Sequence, residues 1–579
     1  MVTTSRNRWR TGLASAALAI ALGGIGLAPA FAVGPAPTEP TPISASAEPT
    51  KPYESEAPAP TETVPEATQS PSEPGVPSPT TSPTSAPSPT VGDTPAATAA
   101  PTEAGRDIPG NGVLEPHPPA WQLVHDQVSW IIALVVLAST AVLVMLLARR
   151  PDPPEHQLIA PQPDASIGPS DNAMVAGLAD LEAAGEAMID AGYSVTGVRT
   201  ALTDIARVNG QPATEIVVLP TALFVSTRRF GAVRTGAVSA GHQDLRLNQI
   251  DALDDVIRAA RSLPSEPGAI KAAVDGVRTL PSPYTATQRV VAHVVLSAGL
   301  SVLLDGSWAG VAVAAMLGLV VGVVLLLTEP LGRQYQALVT VGLAFLVSTS
   351  VFTLTQIGLD PGVLAALIAP LVTLLPGGLL TTGVIELATG QMMAGAGRLA
   401  AGSMQLILLA VGLVSGATLV GVPRVELVEA QNPIGPLGPW LAVAIFGIGI
   451  VIHQCGRPRS IGWILLVLYV AYGAQVLGDV LFGGVLSGMI GAFAMTPVAY
   501  VVSRQPDGPA AFASFLPAFW LLVPGSLGLV GVTSILDGDS TGLSTLVTTV
   551  STMVAIMLGI LVGSALGGRL TGRGTVAVV

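Results

Sequence analysis

The sequence predicts an α-helical polytopic membrane protein. It should hold a ten-helix domain of two inverted five-helix repeats, preceded by a small α+β cytoplasmic domain, one extra N-terminal transmembrane helix and a disordered Pro/Thr/Ser-rich stalk. Three observations predict this. From about Arg289 to Gly568 the chain is a series of long apolar stretches with almost no charge. A bilayer core requires roughly 20 apolar residues per helix, and about ten such stretches fit. The chain is 50% hydrophobic and only 11% charged, which belongs to the membrane class. Finally, the fourth stretch of each block of five carries a similar Pro-Gly interruption. The net charge of −12 argues against nucleic acid, which needs a basic surface. The single cysteine, Cys455, excludes an intramolecular disulfide framework and a cysteine-rich metal site. Movement of a solute across a bilayer is the leading functional class.

Residues 1–32 read as a signal peptide: Arg6, Arg8 and Arg10 precede the apolar run Leu13 to Leu27, and Ala30-Phe31-Ala32 offers a cleavage site. An uncleaved anchor is the alternative. Residues 33–127 are a low-complexity Pro/Thr/Ser-rich segment that cannot bury enough apolar surface to offset chain entropy, and are expected to be disordered and extracytoplasmic. Residues 128–148 are the extra membrane helix. Arg149 and Arg150 follow it directly and place residues 149–288 in the cytoplasm.

Within that soluble segment, Met174, Leu178, Leu181, Ala184 and Met188 recur at helical spacing. A second helix follows through Val195, Val198, Leu202 and Ile205, with Ser194 placed to cap it and Asn209-Gly210 to end it. "EIVVLP" and "TALFVST" read as two strands, and about Asn248 to Arg261 as a third helix. Glu182, Glu186 and Asp190, every fourth residue, read as a solvated helix face.

The expected spans are 290–306, 309–328, 337–357, 362–388 and 402–421 in repeat 1 (289–433). In repeat 2 (434–579) they are 438–454, 460–478, 481–502, 511–533 and 544–566. If the first enters from the cytoplasm, Arg333, Arg398, Arg457, Arg459, Arg504, Arg569 and Arg573 fall inside and Arg424 alone outside. Asp305, Asp360, Asp479, Asp537 and Asp539 fall outside, as the positive-inside rule requires.

The fourth and ninth spans contain "APLVTLLPGGLLTTG" and "LPAFWLLVPGSLGLVG". Five is odd, so the second block is inverted, and interrupted helices at matching positions are the best sequence pointer to a transporter binding site. Pro376 and Pro524 each remove a backbone donor, and Gly377, Gly378 and Gly525 relax the helix. Each following half-helix then offers free N–H groups and a partial positive charge to an anion. Thr381, Thr382 and Ser526 can add hydroxyls. Ordinary proline kinks are the plain alternative.

Glu386 is the acidic residue well inside a span. Proton coupling or contact with a substrate amine would compensate its cost there, and so would interfacial water or pairing with Arg398. His293 and His453, near span ends, read as polar interfacial residues that can titrate in the physiological range. The Gly-rich run Phe482 to Ala492 allows close helix packing. His242 and Asp244 have no nucleophile or metal ligands at suitable spacing. No Gly-x-Ser-x-Gly elbow and no P-loop are present, so the chain reads as a non-enzyme without cofactor or metal.

Residues 177–226 resemble the N-terminal domain of the threonine/serine exporter family, through the Gly192-Tyr193-Ser194-Val195 turn, the helix after it and the run Val218 to Thr221. Leu374 to Ala400 is similar to the family's Pro-Gly segment, with Glu386 and Arg398 in the expected places, and the resemblance extends over about residues 170–570. It implies a ten-helix secondary exporter of threonine and serine at the plasma membrane, driven by protons. On that reading the substrate carboxylate meets the half-helix starts. Dicarboxylate export on the same scaffold, and a membrane-anchored envelope or sensor protein, are the rival readings. Homo-oligomerisation is open.

Overall fold

The computed structural model describes residues 127–148, 171–229, 232–241, 244–359, 361–422, 434–435, 437–505, 507–522, 524–538 and 542–571. All of them lie in one compact unit, Pro109–Val579. The expected signal peptide, the stalk before residue 127, and Arg149, Arg150, His242, Asp360, Arg424, Asp539 and Arg573 lie outside the described residues.

Helix α1 (Gln127–Ala148) occupies the expected extra span. Helices α2 (Asp171–Asp190) and α3 (Val195–Val208) follow, and Gly192 between them takes φ +89°, a conformation that favours glycine. Ser194 caps α3 by accepting from the Gly197 N–H at 3.1 Å. The strands are β1 (Glu215–Leu219), β2 (Ala222–Arg229) and β3 (Ala232–Ser239), an antiparallel sheet in the order β1-β2-β3. Helices α4 (Leu247–Ser262) and α5 (Ala269–Arg278) complete an α+β layer around buried Leu202, Ile205, Leu223 and Leu253.

Two of these elements, β3 and α5, are additions to the sequence-based expectation. Strand β3 is an edge strand with exposed Val233, Arg234 and Thr235, so it lacks a buried alternation. Helix α5 spans only 10 residues. The expected solvated face of α2 is corrected. Asp190 is buried, accepts from the Gly241 N–H at 2.7 Å and pairs with Arg278 at 3.0 Å, while Glu186 meets the same guanidinium at 3.1 Å. A four-residue spacing does not distinguish a wet face from one covered by α5.

The remaining chain is helical: α6 (Ala286–Leu303), α7 (Trp308–Thr328), α8 (Gln336–Gln356), α9 (Val363–Ile368) with the 3₁₀ turn Ala369–Leu374, α10 (Gly377–Ala388), α11 (Met392–Val420), α12 (Gly438–His453), α13 (Ile461–Phe482), α14 (Gly484–Val502), α15 (Ala511–Leu522), α16 (Pro524–Leu536) and α17 (Gly542–Thr571). Among the described residues, 7 helices are long and apolar enough to cross a membrane, or up to 9 if each of two bent pairs is one span. Helix α12, at 16 residues, is shorter.

Glycine sets how these helices pack, because it lets backbones approach closely. A Cβ built at Gly412 of α11 would stand 2.6 Å from Val341 O of α8, and one at Gly416 would stand 2.7 Å from Phe345 O. The same contact recurs between α17 and α14. Gly559 lies against Met489 O, and a Cβ at Gly563 would stand 2.9 Å from Phe493 O. Helices α6 and α12 cross through Gly299 and Gly449, where a Cβ would stand 2.7 Å from Phe446 N and Leu296 N respectively.

Replacing Gly449 with Leu forces α6 and α12 apart, and overpacking of this kind costs about 1–3 kcal/mol. The variant is expected to unfold at lower temperature than the wild type in detergent. Gly462→Leu, where nothing lies within 4 Å of an added Cβ, should leave the melting temperature unchanged.

Candidate functional site

The two interrupted stretches are bent. Val363–Leu374 and Gly377–Ala388 meet at 65°, and Ala511–Leu522 and Gly525–Leu536 at 41°. The first bend is local chemistry. Pro376 restricts the preceding residue, and Leu375 is extended with ψ 127° before α10 restarts. The bends lie against each other. A Cβ at Gly525 would stand 3.2 Å from Gly377 N and 3.3 Å from both Gly377 Cα and Leu375 Cβ, so the two half-helix starts meet at close backbone approach. Gly378 faces Phe519, 3.4 Å from its Cδ2 for the same built atom. Thr381, Thr382 and Ser526 are buried beside these starts. Pro524 opens α16. The structure therefore brings the Pro-Gly residues of the two stretches into one place.

Glu386 stands elsewhere, at the far end of α10, where the α+β layer meets the bundle. Its Oε2 is 3.0 Å from Arg398 Nε, and its Oε1 accepts the Val195 N–H at 3.0 Å. Arg398 donates to the carbonyls of Tyr193 at 2.8 Å and Gly192 at 3.4 Å. The carboxylate thus sits at the N-terminus of α3, where the helix dipole favours an anion. Of the alternatives open for Glu386, pairing with Arg398 is what the geometry displays. Interfacial water is not, since the Glu386 side chain is only 1% exposed.

A second contact has the opposite sense. Asp251 of α4 accepts the Ala510 N–H at 2.9 Å, just before α15, and lies 3.8 Å from Arg457 Nε. Tyr193 stacks on Phe512 with ring centroids 4.8 Å apart. The seam also holds Cys455, whose Sγ is 3.1 Å from Ser282 Oγ and whose carbonyl accepts the Asn248 N–H at 3.2 Å. Burial lifts the Asp251 carboxyl to about 7, and Asp254 and Asp255 add to the shift against the pull of Ala510 N–H and Arg457.

Sequence reasoning passed over two amides, because it weighed ionisable groups in the membrane and not neutral ones. Gln405 of α11 donates to Leu374 O at 3.2 Å, supplying a partner for a carbonyl freed at the first bend. Gln475 of α13 is fully buried, and neither its Oε1 nor its Nε2 has a partner among the described residues. A Cβ at Gly491 would stand 2.5 Å from Gln475 Cγ and 3.1 Å from Leu522 Cδ2, so this amide flanks the second bend. Thr373 Oγ1 and Thr381 Oγ1 are likewise enclosed without a partner. A lone amide inside an apolar span was the available signal. Among the described residues, no group of three or more His, Cys, Asp or Glu could hold a metal ion.

Two outcomes test this geometry. Glu386→Ala leaves Arg398 buried without its anion, at a cost of about 3–5 kcal/mol. Amide exchange at residues 193–198 is expected to accelerate, while exchange in β1 and β2 stays slow. For Asp251, the folded pKa lies above the ordinary value of 3.8. The stability this carboxyl contributes is therefore complete below about pH 4 and is lost as the pH rises through about 7. The wild-type melting temperature should fall from pH 5 to pH 8, and Asp251→Asn, which still accepts from Ala510, should flatten that fall.

Comparison with known proteins places this site in context. Residues 181–420 match the family model described as "Putative threonine/serine exporter". The match runs from the second half of α2 to the end of α11. It includes Glu386, Arg398 and the first bend, and it stops short of the second. An uncharacterized protein of Schizosaccharomyces pombe is 26% identical over 265 residues, 44% of this chain and 31% of its own length. Pheromone-regulated membrane protein 10 of Yarrowia lipolytica is 26% identical over 241 residues, 39% of this chain and 19% of its own. The chain thus spans less than a third of the length of these curated relatives. No solved structure matches.

Proposed function

We propose, from the family match over residues 181–420, that this chain is a secondary exporter of small hydroxy amino acids, threonine and serine, driven by the proton-motive force across the plasma membrane. The observation that carries the reading is the meeting of the two bends at Gly377 and Gly525. Broken helices whose starts converge are a device by which membrane transporters hold a charged solute, because half-helix N–H groups face its carboxylate.

In this reading the carboxylate lies at Gly377-Gly378 and Gly525-Ser526. Thr381, Thr382 and Ser526 orient it, and the Gln475 amide, with a donor and an acceptor to offer, addresses the polar end of the substrate. A substrate that occupied this place would satisfy the amide, which otherwise sits in an apolar interior at considerable cost. The repeated glycine contacts, α11 on α8 and α17 on α14, fall at the third and fifth spans of each block and support two matching five-helix repeats, which in this reading are inverted and rock about the bends. Glu386, with both oxygens engaged, acts here as the link that transmits movement of α10 to the α+β layer. An amine contact would require that link to open.

In this reading the α+β layer is cytoplasmic. Arg398 and Arg457 lie at the bundle end that touches it, while Asp305 and Asp537 follow the other ends of α6 and α16 and Asp479 lies in the last turn of α13. Residues 1–32 are a signal peptide and 33–127 an extracytoplasmic segment in this topology.

The test is uptake of labelled threonine into proteoliposomes preloaded with unlabelled threonine. The wild type should exchange it. Gln475→Leu should lower kcat/KM for threonine by about tenfold or more, the effect of losing a buried polar contact of about 1.4 kcal/mol. Wild-type proteoliposomes that exchange neither threonine nor serine would overturn the reading, and exchange of succinate instead would move it to dicarboxylates.

A further inference from the structure

Two histidines that the site above does not use lie together. His293 of α6 and His453 of α12 come from the opening helices of the two halves, and their rings stand 4.7 Å apart and tilted by 52°. His293 is fully buried. Its Nε2 is 3.1 Å from Pro370 O, a carbonyl in the 3₁₀ turn that leads into the first bend. A carbonyl only accepts, so Nε2 carries the proton and Nδ1 holds a lone pair. That Nδ1 is enclosed and has no partner among the described residues. His453 Nδ1 lies 3.2 Å from Arg289 O, which by the same argument leaves its Nε2 unprotonated.

A cavity of about 200 Å³ opens beside the pair, lined by Asp244, Arg246, Arg289, Glu329 and His453. Gly322, also in its wall, lies directly against His293, 3.0 Å from its Cβ for a built Cβ. The cavity gives water a place at His453, with His293 one ring further in.

We infer that His293 and His453 form the proton-exchange site through which the transport cycle communicates with the side of the membrane that carries the α+β layer. This rests on the exporter reading and adds the residues that handle its coupling ion. A proton from water in the cavity adds to His453 Nε2. Its transfer forms an N–H bond at His293 Nδ1 and returns His453 to the neutral form. Two imidazolium rings this close repel, so one proton is held at a time. With the proton on His293, the Nε2–H to Pro370 O bond becomes charge-assisted and tightens. When the proton leaves, that bond relaxes. The consequence falls on the turn that ends at Leu374, just before Pro376. Charged groups facing the pair are Arg289 on its own helix, Arg246 and Asp244 from the segment before α4, and Glu329 at the end of α7. Glu329 holds both guanidinium groups, at 2.8 Å for Arg289 and 3.5 Å for Arg246, so their repulsion of a histidine cation is damped.

The experiment uses the full chain in proteoliposomes and two assays: threonine exchange without any gradient, and threonine accumulation driven by an imposed pH gradient. The wild type should perform both. His293→Gln should keep exchange within about twofold and lose driven accumulation by tenfold or more, and His453→Gln should do the same. Driven accumulation at the wild-type level in either variant would overturn the inference. So would loss of exchange in both, because self-exchange requires no net proton movement. Failure of the wild type to exchange threonine would instead sink the exporter reading itself.

Discussion

A backbone N–H or C=O inside hydrocarbon must find its partner within the protein, since no water is there to supply one. This constraint governs the whole bundle. Unbroken helices meet it internally, whereas the two bent stretches do not. The first bend is held by groups from elsewhere: Gln405 reaches Leu374 O, and His293 reaches Pro370 O. The half-helix starts beyond the bends meet at Gly377 and Gly525. Interruption is thus tolerated because surrounding helices supply side chains to the freed carbonyls.

The same logic joins the α+β layer to the bundle, in two directions. The membrane domain contributes Glu386 to the start of α3, and the α+β layer contributes Asp251 to the start of the segment that opens α15. Each unit therefore completes a helix start that belongs to the other, and each contact lands on a different bent stretch. Neither carboxylate is a surface charge. Exposed ion pairs contribute little, but a buried one such as Glu386–Arg398 is costly to break singly. The layer is consequently fastened to both bent stretches.

Much of this was legible in the chain. The apolar stretches gave most helix positions to within a few residues, although α11 starts at Met392, ten residues before the expected span 402–421, and the Pro-Gly pairs gave both bends. Ser194 and Asn209-Gly210 gave the ends of α3, because capping chemistry is local. What was not legible depends on partners distant in sequence. Asp190 looked wet on its own helix and is covered by Arg278 from α5. Glu386 looked like a charge inside a span that could pair with Arg398, and its second partner is a backbone amide 191 residues away. His293 and His453 looked like separate interfacial residues, and only the crossing of α6 and α12 at Gly299 and Gly449 stacks them. Gln475 is legible only as a neutral amide alone in an apolar span, a weaker mark than a charge.

The position of Cys455 has a practical meaning. The sole thiol of the chain is fully shielded at the seam, pinned between Ser282 and the start of α4. A thiol reacts only where reagent can reach it. The unaltered protein therefore carries its own clock for separation of the two units: the rate at which a maleimide labels it counts how often the α+β layer lifts, with no engineered probe and no competing cysteine to subtract.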